Sequence, residues 1–153
     1  MLDEIEQEYR LRFDEFVRVA RAITGDAETA RDAVQEAFAT AVRKRRSYRG
    51  DGSVAAWLWR AVVNKARDSV RTRSAPVEPA AAANGHATEA DADVRAALTL
   101  LPERQRIVIF LRYYVDLDYA TIAAILEISE GTVAATLHSA RAALRRRFEE
   151  VHP

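Results

Sequence analysis

Apolar residues recur at three- and four-residue spacing through most of the chain, which is the period of amphipathic helices and not of strands. Tyr9, Phe13, Phe16, Val17, Ala20 and Ile23 form the first such stripe, and Thr24-Gly25 ends it. Asp26 has the chemistry to cap a second helix. That helix turns Ala30, Ala33, Val34, Ala37, Phe38, Ala41 and Val42 inward and runs out near Arg46. Ser47-Tyr48-Arg49-Gly50-Asp51-Gly52-Ser53 carries turn residues, with Ser53 as the next cap. Val54, Trp57, Leu58, Ala61, Val62 and Ala66 make a third stripe, extending to about Arg73. Trp57 lies on that stripe and is expected in the core; Trp59 lies off it and is assigned to neither role.

Residues 75–93 break the pattern. They hold two prolines, eight alanines and no aromatic residue, and Val77 is their one large aliphatic side chain, so they read as a flexible linker. The chain therefore divides into an N-terminal module (1–74), the linker (75–93) and a C-terminal module (94–153), and neither module repeats the other. In the second module Val94–Leu101 predicts a short helix, and Leu101-Pro102-Glu103 puts a proline at a favoured first helical position. Ile107, Val108, Leu111 and Tyr114 then face inward. Asp118 caps a brief helix with Ile122, Ala123 and Leu126 inward, and Glu127-Ile128 turns the chain. Ser129 caps a last helix with Val133, Leu137, Ala140, Leu144 and Phe148 on its buried face. Two helices joined by a tight turn, the second longer, predict a helix-turn-helix. The expected fold is all-α, as two small helical domains.

Composition changes this picture in two ways. The chain has 153 residues and no cysteine, so no disulfide, thiolate zinc site or thiol nucleophile is available. No signal peptide and no membrane span are expected, because the apolar runs are short and interrupted by arginine. The formal charge is zero, yet it is a cancellation. Residues 1–42 carry 5 basic and 10 acidic side chains, whereas residues 43–73 carry 10 basic and 2 acidic. The block is nearly all arginine (Arg43, Arg45, Arg46, Arg49, Arg60, Arg67, Arg71, Arg73, with Lys44 and Lys65). The planar guanidinium fork suits phosphates and base edges. A solvated helix end would account for Arg43–Arg46 alone, but not for a run of thirty positions.

Four local sequences carry a resemblance. Asp118-Tyr119-Ala120-Thr121-Ile122-Ala123-Ala124-Ile125-Leu126 with Ile128-Ser129-Glu130-Gly131-Thr132-Val133 resembles the DNA-binding helix pair of bacterial sigma factors and of response-regulator domains. Leu101-Pro102-Glu103-Arg104-Gln105-Arg106 before it is typical of the sigma-factor promoter-binding domain. Ala30-Arg31-Asp32-Ala33-Val34-Gln35-Glu36-Ala37-Phe38 and Ala56-Trp57-Leu58-Trp59-Arg60-Ala61-Val62-Val63-Asn64 resemble two signatures of the extracytoplasmic-function (ECF) sigma factors of the sigma-70 family. They stand in the family's order.

The resemblance implies a cytoplasmic transcription initiation factor with no catalytic residue, cofactor or metal. It would bind core RNA polymerase, at the clamp and flap regions, and promoter DNA, and an anti-sigma factor is an expected partner. Asp32, Gln35 and Glu36, one turn apart on a single helix edge, would dock on polymerase. Tyr48, Arg49, Arg60, Asn64, Lys65, Arg67 and Arg71 would capture the −10 element as single strand, where unstacked bases need aromatic or amide contacts and the backbone needs cations. Thr132, Thr136, His138, Ser139, Arg141 and Arg145 would meet the −35 element. Here the chain departs from its relatives. Ala134-Ala135-Thr136 stands where Lys-Ser-Arg is common, Thr121 where Glu is usual, and Glu127 where Gly is usual. Fewer cations predict a weaker or differently specific −35 grip, and Glu127 makes a left-handed turn less obvious.

The main competitor is a helix-turn-helix regulator that acts without polymerase, which leaves the Asp32/Gln35/Glu36 edge unexplained. An enzyme would have to be built from three isolated histidines (His86, His138, His152) and no paired carboxylates. A helical adaptor would not need the basic block. The nineteen linker residues reach at most about 65 Å, so the modules can sit nearly two turns of duplex apart. Loose coupling of the modules, and weak promoter binding by the free protein, are expected.

Overall fold

A computed structural model of the chain describes residues 1–50, 52–72 and 89–151. Among them are seven α-helices and no strand: α1 (Leu2–Thr24), α2 (Ala27–Arg43), α3 (Val54–Arg71), α4 (Glu89–Thr99), α5 (Glu103–Ile109), α6 (Tyr119–Leu126) and α7 (Glu130–Val151). Asp51, Arg73 and the linker residues up to 88 lie outside the described residues, as do His86 and His152. The linker was expected to extend to residue 93, but α4 already begins at Glu89.

Local chemistry sets the helix boundaries. Gly25 adopts φ 77° and returns its N–H to the Arg21 carbonyl, closing α1 as a left-handed terminal residue should. One side-chain oxygen each on Asp26, Ser53, Asp118 and Ser129 accepts the backbone N–H three residues on, at 2.8–3.0 Å. These are the N-caps expected from sequence. Pro102 is the residue before α5 and not its first residue.

In the N-terminal unit α1, α2 and α3 pack against one another in all three pairings. The core is aromatic. Phe16 lies 4.1 Å from Trp59 and 5.1 Å from Phe38 between ring centroids, and Tyr9 lies 5.0 Å from Phe38. Trp59 is completely buried, whereas Trp57 is half-buried at the edge, with its ring 5.5 Å from Tyr48. The expectation for Trp57 is thereby corrected, and Trp59, assigned to neither role from the sequence, takes the core position. The inner face of α3 is Leu58, Trp59, Val62, Val63 and Ala66, a stripe rotated by part of a turn from the predicted one, because α1 offers the Phe16 ring as partner on that side.

The C-terminal unit packs α5, α6 and α7 together, with α4 against α7. Its core is aliphatic: Ile107, Val108, Leu111, Ile122, Ile125, Val133, Leu137 and Ala140. After α5 the chain makes one π-helical turn, Phe110–Tyr114, with the Val115 N–H on the Phe110 carbonyl at 3.1 Å. The wider turn shifts the register by a residue. Val115 is buried, and Tyr114, expected inward, is exposed. The axes of α6 and α7 differ by 100°, within the range of helix-turn-helix pairs. Glu127 in the turn is left-handed, at φ 57° and ψ 45°, so the turn geometry survives without glycine.

The two units are in contact, against the expectation of loose coupling: α1 meets α5 and the π turn, and α3 meets α6.

Candidate nucleic-acid interface

Asp32, Gln35 and Glu36 all lie exposed on the outer edge of α2, opposite the buried Val34 and Phe38. The edge is built by default: Ala30, Ala33, Ala37 and Ala41 are buried against α1 and α3, so positions 32, 35 and 36 are left to solvent. Lys65 Nζ on α3 lies 2.7 Å from Glu36 Oε1. The acidic edge of α2 and the cationic side of α3 thus adjoin.

Along α3, Trp57, Arg60, Asn64, Arg67 and Arg71 recur at spacings of three and four, which puts them on one stripe. Arg60, Asn64 and Arg71 are exposed and Arg67 is half-buried. Arg71 lies 3.7 Å from Asp68. At the N-terminal end of this stripe, Tyr48 is fixed by two contacts: its hydroxyl donates to the Gly52 carbonyl, and its ring packs on Trp57. Gly50 and Gly52 take φ of 80° and 83° there, with open space where a Cβ would sit on each. Arg49, exposed between Tyr48 and Gly50, completes a grouping of cations, one amide and two aromatic rings. Such a set can hold unstacked bases and the phosphates between them.

On α7 the predicted residues divide. His138, Ser139, Arg141 and Arg145 are exposed, and 138, 141 and 145 share a face by their spacing. The threonines are committed elsewhere. Thr132 Oγ1 lies 2.8 Å from Ser129 Oγ in the cap, and Thr136 donates back to the Thr132 carbonyl at 2.7 Å. Arg141 stacks its guanidinium 5.3 Å above the Tyr113 ring. Its pKa is held above the ordinary arginine value, chiefly by a hydrogen bond to Tyr113. Of the side chains predicted to meet duplex DNA on α7, this leaves His138, Ser139 and Arg145 without a bond to the helix's own backbone or cap or a ring partner.

Sequence reasoning named Arg60 and Arg67 but missed the pairings that join the two units. Arg67 Nε lies 2.8 Å from Glu103 Oε1, and Arg60 pairs with Glu127. Arg106 Nε donates to the Ala22 carbonyl, and its Nη1 donates to the Leu101 carbonyl at 3.1 Å. Burial is the main influence lowering the Arg106 pKa, partly offset by Glu103. Arg18 lies 5.6 Å from the centroid of the Tyr114 ring. One signal was available: Glu127 departs from the glycine that the family resemblance leads one to expect in the turn.

Among the described residues no single helix is long and apolar enough to cross a membrane. The Sigma-70 region 2 family matches residues 9–75, and Sigma-70, region 4 matches residues 91–144. The ECF RNA polymerase sigma factor SigM of Mycobacterium tuberculosis is 34% identical over 148 residues, covering 92% of this chain and 75% of that protein. The RNA polymerase sigma-E factor of Streptomyces coelicolor is 33% identical over 153 residues, covering 93% and 84%. Among solved structures, the fold is similar to sigma factor RpoE in complex with the anti-sigma factor NepR from Bartonella quintana, with a TM-score of 0.83 at 22% identity over 95% of this chain and 97% of that one. It is also similar to CnrH in complex with the cytosolic domain of CnrY, with a TM-score of 0.76 at 25% identity over 98% and 90%. With both sigma-70 regions present in order, and relatives above 30% identity along most of its length, the chain belongs to the extracytoplasmic-function sigma factors of the sigma-70 family.

Proposed function

We propose that this chain binds core RNA polymerase through the α2 edge of Asp32, Gln35 and Glu36, and directs it to promoters through α3 and α7. The observation that carries this reading is the adjacency of two unlike surfaces on one rigid three-helix unit. An acidic and amide edge on α2 adjoins a cationic stripe on α3 that ends at the Tyr48–Trp57 pair. A DNA regulator independent of polymerase has no use for the first surface. The second supplies what single-stranded DNA requires: Asn64 for the edge of a flipped base, Tyr48 at the mouth of the loop, and Arg49, Arg60, Lys65, Arg67 and Arg71 for the strand.

The −35 contact is the weaker one. With Thr132 and Thr136 bonded within α7 and Arg141 stacked on Tyr113, His138, Ser139 and Arg145 remain to meet the duplex. Polymerase supplies much of the hold on DNA. The protein acts in the cytoplasm, performs no bond-making step of its own, and takes an anti-sigma factor as its inhibitor, as the named partners of its structural neighbours suggest.

Copurification with core polymerase tests the docking edge. The double variant Gln35→Lys/Glu36→Lys is expected to lose core binding by at least tenfold while keeping its helical circular dichroism. Unchanged core binding would remove the α2 edge from the reading.

A further inference from the structure

In a helix-turn-helix the N-terminal residues of the second helix are the ones that meet base edges in the major groove. On α7, Val133, Leu137 and Ala140 are buried, and Ala134, Ala135, His138 and Ser139 are left exposed. From Glu130 to Ala140 the helix has no lysine or arginine, and its one carboxylate, Glu130, is exposed. The hydroxyls of Thr132 and Thr136 are held by Ser129 Oγ and by the Thr132 carbonyl. These turns therefore lack the guanidinium or ammonium that reads guanine and the one that holds a phosphate. Two adjacent methyl groups, an imidazole and a hydroxyl remain on the outward side.

We infer that Ala134 and Ala135 are specificity-determining residues of the duplex contact, reading thymine through its 5-methyl group, while His138 supplies the hydrogen bond that fixes register. The inference rests on the reading of α7 as the −35 helix given under Proposed function. In the major groove the thymine methyl is the apolar group that sets one base apart, and alanine is a side chain that matches it. Contact through so short a side chain requires the helix backbone to come close. Gly131, one turn before Ala135, permits this: a Cβ there would meet only Ser129 Oγ, at 3.8 Å, so no bulk holds the backbone off a base edge.

Positions 134 and 135 are about 100° apart around the helix, so their methyl groups face different base pairs. The element is therefore expected to present two thymines to α7. His138 follows Ala134 by four residues and Ala135 by three, which places it on the same side as both. Its ring N–H can donate to a purine N7, an acceptor that faces the major groove. A methyl contact needs no counter-charge and adds about fourfold for each methyl, the factor that burial of one methylene-sized group gives. Such a contact discriminates between sequences without adding a phosphate grip.

The test uses the full chain with core polymerase, on a promoter found by sequencing its 5′ ends. Each thymine of the upstream element is replaced in turn by deoxyuridine, which pairs identically and lacks only the methyl. Initiation is expected to fall about fourfold at each of two positions and to hold at the others. In Ala134→Gly/Ala135→Gly the thymine and deoxyuridine templates should become equivalent. Ala134→Ser/Ala135→Ser, which keeps both side chains small, should do the same and covers the case in which paired glycines fray the helix; circular dichroism reports that. His138→Ala should lower initiation while leaving the thymine preference intact. No sensitivity to deoxyuridine anywhere in the upstream element would overturn the inference, as would a thymine preference unchanged in both double variants. Absence of specific initiation from the thymine template would strike the sigma-factor reading instead. The methyl contact is then judged on the chain alone at low salt, with thymine and deoxyuridine pools of random duplexes in competition: preferential retention of the thymine pool supports it, and equal retention overturns it.

Discussion

The two halves of this protein are both small helical units, yet they are held together by different means. The N-terminal unit is three long helices around a ring cluster of Tyr9, Phe16, Phe38 and Trp59. Aromatic side chains contribute large buried areas and orientation-dependent ring contacts, so the unit is a firm platform whose outer surfaces can be spent on charge. The C-terminal unit has three short helices and one long one, an aliphatic core and a π turn. It relies on local devices to hold its geometry: the Asp118 and Ser129 caps, the left-handed Glu127, and the Phe110–Tyr114 widening. The first unit can carry a dense basic stripe, because the rings that stabilise it are buried between the helices, on a different face of α3 from that stripe. The second unit uses its polar side chains to build itself, and Thr132 and Thr136 are the price: hydroxyls that serve the helix and not a DNA surface.

The comparison is broken most forcefully at the two tryptophans. Trp59→Ala is expected to cost about 3–5 kcal/mol, the range for removing a large buried ring. Trp57→Ala should cost less than half as much, because its ring lies at the edge against Tyr48. Denaturant unfolding followed by far-ultraviolet circular dichroism measures both. Equal losses would show that the platform does not depend on the Phe16–Trp59 stack.

A smaller effect sharpens the other side. Hydrogen bonding to Thr121 is the main influence holding the Asp118 carboxyl below its ordinary value. A carboxyl with a depressed folded-state pKa contributes stability above its unfolded value, about 3.9, and that contribution fades as pH falls from there through the folded value. Thermal unfolding between pH 6 and pH 3 should therefore show Asp118→Ala less stable than the parent at pH 6, with the gap narrowing toward pH 3. A gap independent of pH would mean that the cap does not act through the ionised carboxylate.

How much of this was legible in the sequence follows the same division. Caps are legible because donor and acceptor lie three residues apart, and Asp26, Ser53, Asp118 and Ser129 all fall where their residue types demand. The helical stripes were legible in period but not always in phase. Trp57 lies at the edge and Trp59 in the core because the inner face of α3 is chosen by Phe16, more than forty positions earlier. Tyr114 turns outward because a π turn adds a residue that no apolar pattern announces. The exposed edge of α2 could be read, since four buried alanines fix the opposite face. The inter-unit pairs could not. Arg60–Glu127 and Arg67–Glu103 join surface residues separated by tens of positions, and surface charges carry no periodic signal of their partners. The departure at Glu127 was visible, but its partner was not.

The central claim is that this chain makes core polymerase promoter-specific. Run-off transcription on genomic DNA, with core polymerase and this protein alone, and with 5′ ends sequenced, tests it most directly. Discrete start sites that share two upstream elements, and that vanish with Gln35→Lys/Glu36→Lys, are the predicted result. Initiation no different from that of core polymerase alone, with no inhibitor protein present, would contradict it.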